Sequence, residues 1–157
     1  ACIEALRGRR VLWMAPNLDP GRAGVLAARG EAIERGWASG SEHLPAAVFR
    51  SLVARLARDD GVLVGNSSAA LIEAAALRCP AVDIGSRQAH RERGTNTVRV
   101  ESFEPEAVRA GVARAAAMDR SAIGHPFGDG RAGERIAAVL GEVNPSDSAV
   151  MRKINAY

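Results

Sequence analysis

Three short apolar runs alternate with helix-like stretches in this chain, and that alternation is what most restricts its fold. Arg10-Val11-Leu12-Trp13-Met14-Ala15 reads as a strand apolar on both faces, as a buried parallel strand would be; Val62-Leu63-Val64 reads as a second buried strand and Pro80-Ala81-Val82-Asp83-Ile84 as a third. Between the second and third lies a helix over Ser68 to Leu77. Residues 22–36 read as a helix with Val25, Leu26 and Ile33 on its apolar side, and Gly36 is its stop. Pro45 opens the clearest helix: Val48, Phe49, Leu52, Val53 and Leu56 share one face at a period of 3.6, and Asp59-Asp60-Gly61 ends it. Residues 37–44 are polar and glycine-bearing, with room for a short strand ending at His43-Leu44.

Downstream, a polar loop from Gly85 to Asn96 carries Arg87, Arg91 and Arg93, with Arg91 and Arg93 expected to be solvated. Thr97 to Val100 is a short strand, and Pro105 sits at the first turn of a helix showing Val108, Val112 and Ala115 on one face. After the loop His125 to Gly130 comes a helix with Ile136, Val139, Leu140 and Val143, and a last helix starts near Ser146. Strands alternating with helices predict an α/β fold, a Rossmann-like three-layer domain with a parallel sheet covered on both faces. Residues 1–144 are expected to form that domain, with 145–157 as a C-terminal helix.

The composition agrees with one compact domain: 157 residues, 47% of them hydrophobic. No stretch approaches a membrane span of roughly 18 apolar residues, and no signal peptide is visible. The net charge is +3, with arginines spread along the chain and aromatics at 4%. No basic block and no stacking platform point to nucleic acid. Cys2 and Cys79 match no metal spacing, nor do His43, His90 and His125, and reduced thiols in a cytoplasmic protein are expected. No Ser/His/Asp arrangement or Walker loop is present.

Ligands of doubly wound sheets sit beyond the carboxyl ends of the strands, which singles out loops 16–21, 65–68 and 85–96. With Ser67 as an N-cap, the free N–H groups of the following turn make an anion site suited to phosphate, and Ser68, Ala69 and Ala70 are small enough to let a ligand approach. An ordinary cap accounts for the same residues. Glu73 is not part of a capping box, whose acid would fall at Ala70 or Leu71. It lies roughly 9 Å along a helix axis from Ser67, an offset comparable with that between a diphosphate and a ribose; a solvated surface glutamate fits equally well. Arg87, directly after the strand exit at Gly85, is placed to make charge-assisted bonds to phosphate, or is a solvated loop arginine. Pro16-Asn17-Leu18-Asp19 also reads as a plain turn.

Taken together, "APNLDPG", "GNSSAALIEAAALRCPAVDIGSRQAHR" and "FGDGRAGERI", in this order and at these intervals, resemble the C-terminal half of the hydrolysing UDP-N-acetylglucosamine 2-epimerases. The resemblance spans about residues 10–143 and is most specific over 65–88. It implies the C-terminal half of a two-domain GT-B-type fold, with the active site in the cleft between domains. By position it implies that Ser67 and Ser68 hold the diphosphate and Glu73 the ribose hydroxyls. Asn17 and Arg87 would be further nucleotide contacts, with His43 and Leu44 bordering the base. It further implies elimination of UDP to a glycal and hydration to free N-acetylmannosamine, with no metal or redox cofactor.

Ala69-Ala70 stand where the family commonly has Ser-Gly, and Phe127 where tyrosine is usual. The family's catalytic carboxylates lie mainly in the N-terminal domain and its histidine just ahead of this region, so no catalytic residue is expected in this chain. The expected partners are UDP and a UDP-amino sugar, a missing N-terminal catalytic domain against which helix 145–157 packs, and further copies of the chain. No nucleic acid or membrane partner is expected. A GT-B glycosyltransferase donor domain and a stand-alone nucleotide-binding regulatory domain are the rival readings.

Overall fold

The computed structural model describes residues 2–144 and Ser146. The helix expected from Ser146, with Val150, Met151 and Ile154, lies outside the described residues apart from Ser146 itself. Residues up to Pro126 form one compact unit, and a second begins at Phe127.

In the first unit a short helix α1 (Cys2–Ala5) precedes β1 (Leu12–Met14), α2 (Arg22–Glu34), β2 (Ser39–Ser41), α3 (Ala46–Arg58) and β3 (Leu63–Gly65). A 3₁₀ turn (Ser68–Ala70), α4 (Glu73–Ala76), β4 (Ala81–Ile84), β5 (Thr97–Val100), α5 (Pro105–Ala116) and a second 3₁₀ turn (Arg120–Ala122) follow. Every strand pairing is parallel: β1 with β2, β3 with β4, and β4 with β5. The ladders form a two-stranded sheet, β1-β2, and a three-stranded sheet, β3-β4-β5. Helices lie on both faces of the larger sheet, which gives the Rossmann-like α/β layering that the alternation of elements predicts.

β4 is the centre of that sheet and is buried along its whole length. Side chains alternate across a strand, so β4 feeds two cores. Val82 and Ile84 join Val98, Val100, Val108, Val112 and Ala115 beneath α5, with Ala5 of α1 alongside. Ala81 faces the other way and packs with Val53, Ala70, Leu71 and Ala74 beneath α3 and α4. Gly111 lets α5 sit close to the sheet: a Cβ there would lie 2.5 Å from Val100 Cγ2.

Two expected elements differ. β1 is shorter than the run 10–15 and is not buried on both faces, since Leu12 is 46% exposed; β2 is the only strand that the described ladders place beside it. The single helix expected over Ser68 to Leu77 is two pieces, a 3₁₀ turn and the four-residue α4. Asn96 accounts for the break. Its Nδ2 donates to the Ala70 carbonyl at 2.9 Å, which draws that carbonyl across the layer. The helical ladder resumes at Ile72, whose carbonyl accepts from the Ala76 N–H.

Asn96 is wholly buried and satisfied. Nδ2 also donates to the Cys79 carbonyl at 3.0 Å, and Oδ1 accepts from the Thr97 hydroxyl at 3.0 Å. Asn96→Ala strands two buried carbonyls, each worth about 1–3 kcal/mol when orphaned. Urea denaturation of the variant should show a loss of roughly 2–6 kcal/mol with the cooperative transition retained.

In the second unit α6 (Ala132–Glu142) carries Ile136, Val139 and Leu140 along one face. Arg131 pairs with Glu134 at 2.6 Å, and Arg135 with Asp129 at 2.8 Å.

Candidate functional site

The three loops beyond the carboxyl ends of the strands are tied to one another by side chains. Arg87 reaches loop 16–21, with its Nη2 2.8 Å from Asp19 Oδ2. Gln88, its neighbour, turns inward: Nε2 donates to the Asn66 carbonyl at 2.9 Å, which fastens the β4 exit to the β3 exit. Asn66 directly precedes Ser67, so one tether runs from loop 16–21 through 86–88 to the serines.

Ser67 caps the 3₁₀ turn as expected, its hydroxyl accepting from the Ala69 N–H at 3.3 Å. The Ser68 hydroxyl makes no hydrogen bond among the described residues and remains available to a ligand. The expected anion site would be weaker in one respect than a long helix would make it. The element is a single 3₁₀ turn, so local N–H groups, without an extended aligned dipole, supply its polarity. Glu73 begins α4, is half-buried and has no ion-pair partner among the described residues. Its separation from Ser67 now includes a 3₁₀ turn, which rises about 2.0 Å per residue against 1.5 Å in an α-helix.

Asn17 is exposed on loop 16–21, two residues from the Asp19–Arg87 pair. His43 and Leu44 follow β2, which ends at Ser41, so the strand stops short of them. The segment is held through its start: Arg29 of α2 donates from Nε to the Trp13 carbonyl at 3.1 Å and from Nη2 to Ser41 O at 3.0 Å. No hydrogen bond or ion pair joins His43 or Leu44 to Ser67, Glu73 or Arg87 among the described residues.

Arg93 departs from its expected solvated state. Its side chain is only 26% exposed, lies 3.6 Å from Asp83 and donates to the Gln88 carbonyl at 2.7 Å. Asp83, on β4, is fully buried. The sequence signal was available: an acid within an apolar strand requires compensation, and an arginine in the next loop provides it. Burial pushes the Asp83 carboxyl above its ordinary range, and the charges of Arg93 and Arg99 oppose that shift.

The chain holds little else that could act as a nucleophile or metal ligand. Both cysteines are free thiols. Burial pushes the Cys79 thiol up to about 11, against the opposing effects of a Leu63 backbone hydrogen bond and of Arg120, which leaves it inert near neutral pH. Among the described residues no group of three or more His, Cys, Asp and Glu is placed to hold a metal, and no helix is long and apolar enough to cross a membrane. A groove of about 500 Å³ lies away from the three loops, lined in part by Arg58, Arg78 and Arg120. Arg58 is the last residue of α3, where a cation complements the negative end of the helix dipole, and Arg120 is anchored on the Gly61 carbonyl and Asp60.

A raised carboxyl pKa means that folded Asp83 holds its proton more firmly than the unfolded chain does. Its contribution to stability is therefore greatest below about pH 3.9, the unfolded value, and is lost as pH rises through the folded value. Asp83→Asn removes this dependence. Denaturant titrations of the two proteins should show their stability difference shifting in favour of the variant from about pH 4 upward and levelling above the folded pKa; a difference independent of pH would contradict the buried charge.

The model of the UDP-N-acetylglucosamine 2-epimerase family matches residues 1–141. A protein of Legionella pneumophila named UDP-N,N'-diacetylbacillosamine 2-epimerase (hydrolyzing) is 31% identical over 148 residues, which is 94% of this chain and 38% of that relative. The chain thus spans well under half of that relative's length. With its Rossmann-like layers, its capped serine turn and the arginine loop beside it, the chain belongs to the UDP-N-acetylglucosamine 2-epimerase family.

Proposed function

We propose that this chain is the C-terminal, UDP-binding domain of a hydrolysing UDP-N-acetylglucosamine 2-epimerase. The observation that carries the reading is the tether across the carboxyl edge: Arg87 to Asp19 at 2.8 Å and Gln88 to Asn66 at 2.9 Å. It draws toward one edge the loops whose residues have the chemistry for a nucleoside diphosphate. Ser67 and Ser68 offer hydroxyls and turn N–H groups to the diphosphate, and Arg87 adds a forked cation. Glu73 has the free acceptors that a ribose diol needs, and Asn17 lies beside Arg87's anchor. His43 and Leu44 border the base in this reading.

In the full reaction a preceding domain supplies the acid and base groups. UDP leaves C1 of the sugar as the C2 proton is removed, giving a glycal; water then adds to release free N-acetylmannosamine. This chain's part is to bind the leaving diphosphate and stabilise the charge that develops on it. Neither a metal nor a redox cofactor enters, and the protein works in the cytoplasm. Alone, the chain binds UDP weakly and turns over no substrate. A diacetamido amino sugar in place of N-acetylglucosamine is a second reading, favoured by the substrate in the name of the Legionella pneumophila relative.

Calorimetric titration with UDP tests the reading. Arg87→Ala removes a charge-assisted contact worth about 1.5–3 kcal/mol, so affinity should fall at least about tenfold. Glu73→Ala should weaken UDP binding and leave the thermal midpoint unchanged. Unaltered affinity in Glu73→Ala would return that residue to a plain surface role, and absence of UDP binding by the parent chain would remove the reading itself.

A further inference from the structure

Asp83 presents a physical puzzle. β4 is buried end to end, and an apolar residue or an asparagine would sit there at lower cost than a carboxylate. Yet neither carboxylate oxygen has a hydrogen-bond partner among the described residues. Arg93 Nη1, at 3.6 Å, is too distant for a hydrogen bond and compensates by charge. Asp83 shares its face of β4 with Ala81, which packs with Ala70 and Leu71. It also stands in register with Gly65, just before the serine turn.

Arg93 is held at both ends. Beyond Asp83, its Nη2 donates to the Gln88 carbonyl at 2.7 Å and reaches the Ala89 carbonyl at 3.5 Å. Those carbonyls belong to the turn that carries Arg87, and the Gln88 side chain continues to Asn66. β4 and β5 are parallel neighbours, yet residues 85–96 connect them without a helix. Its own backbone bonds, Ala89 N–H to the Ser86 carbonyl at 3.0 Å and Arg91 N–H to the Gln88 carbonyl at 3.2 Å, close a local turn but do not fasten it to the sheet. The Arg93 guanidinium lies between that turn and the buried strand, bonded to the one and paired by charge with the other.

We propose that Asp83 and Arg93 are positioning residues: a buried charge pair that fixes turn 86–90 against the sheet and, through Gln88, sets Arg87 and the Asn66-Ser67 corner in one arrangement. Neither residue touches the ligand. The consequence for affinity rests on the UDP-binding reading, whereas the fixing of the turn stands without it.

The variants Asp83→Asn, Arg93→Gln and the double D83N/R93Q, made in this chain, test the pair by two measurements. Amide hydrogen exchange over residues 86–91 should speed up about tenfold in each variant, while β4 and β5 amides keep their protection. UDP dissociation constants should rise about five- to tenfold in the two single variants, and the double should be no worse than the worse single, because either change breaks the same link. Arg93→Gln leaves a buried charge alone and is the variant most prone to unfold; Asp83→Asn and the double variant do not share that defect. Exchange and affinity within about twofold of the parent, even with a shifted thermal midpoint, would overturn the proposal and leave a purely structural pair. Loss of the fold in the double variant would also overturn it, since both charges are then gone. A parent that binds no UDP would remove the nucleotide reading, and the exchange measurement would still decide the role of the pair.

Discussion

One buried carboxamide organises the centre of this domain. Asn96 stands at the entrance to β5, and its Nδ2 serves two carbonyls, Ala70 on the 3₁₀ turn and Cys79 before β4. Buried carbonyls of irregular backbone need such a donor, because no water reaches them and no ladder continues to them. Because Asn96 supplies it, the segment after β3 need not be a continuous helix. It can turn tightly at Ser67, leave the Ser68 hydroxyl without a hydrogen bond among the described residues, and restart at Glu73. The backbone around Asn96 is equally committed, since its own carbonyl accepts from the Ala81 N–H to start the β4–β5 ladder.

The carboxyl edge has a second anchor of a different kind. Asn96 is neutral and fully satisfied, so it stabilises; the Asp83–Arg93 pair is charged and under-satisfied, so it specifies geometry at a cost in stability. The division is sensible for an anion site. A buried carboxylate near a phosphate would repel it if left bare. Arg93 both neutralises that charge and occupies its donors on Gln88 and Ala89 carbonyls, leaving Arg87 as the exposed cation of the turn.

The layers of this fold were legible because burial writes itself into periodicity. The 3.6-residue face of α3, the apolar run of β3 and the apolar residues of β4 around Asp83 require no knowledge of partners. The helix break at Ala70 was not legible, since Ser68 to Leu77 has ordinary helix composition and the cause sits 26 residues away on Asn96. β1 misled in the opposite sense: an apolar run reports a capacity for burial, and Leu12 does not use it. Of the site, Ser67 as a cap followed from local chemistry alone. Arg87 followed from its place after a strand, but its contact with Asp19 depends on tertiary proximity that no local pattern encodes. Arg93 reads as solvated from sequence because loops rich in arginine usually are, and the acid on β4 that it pairs with is the counter-signal.

The Asp19–Arg87 contact also bears on how the edge would receive an anion. Both side chains are about half exposed, 52% and 48%, so the pair is screened by water and worth little, about 0–1 kcal/mol. A diphosphate offers Arg87 more negative charge and two or more acceptor oxygens, so exchanging Asp19 for phosphate is favourable. The contact places the guanidinium beside loop 16–21 and, being weak, costs the exchange little. An edge ordered in this way, by one strong neutral anchor, one buried charge pair and one weak exposed one, would offer the proposed nucleotide groups that are already in place.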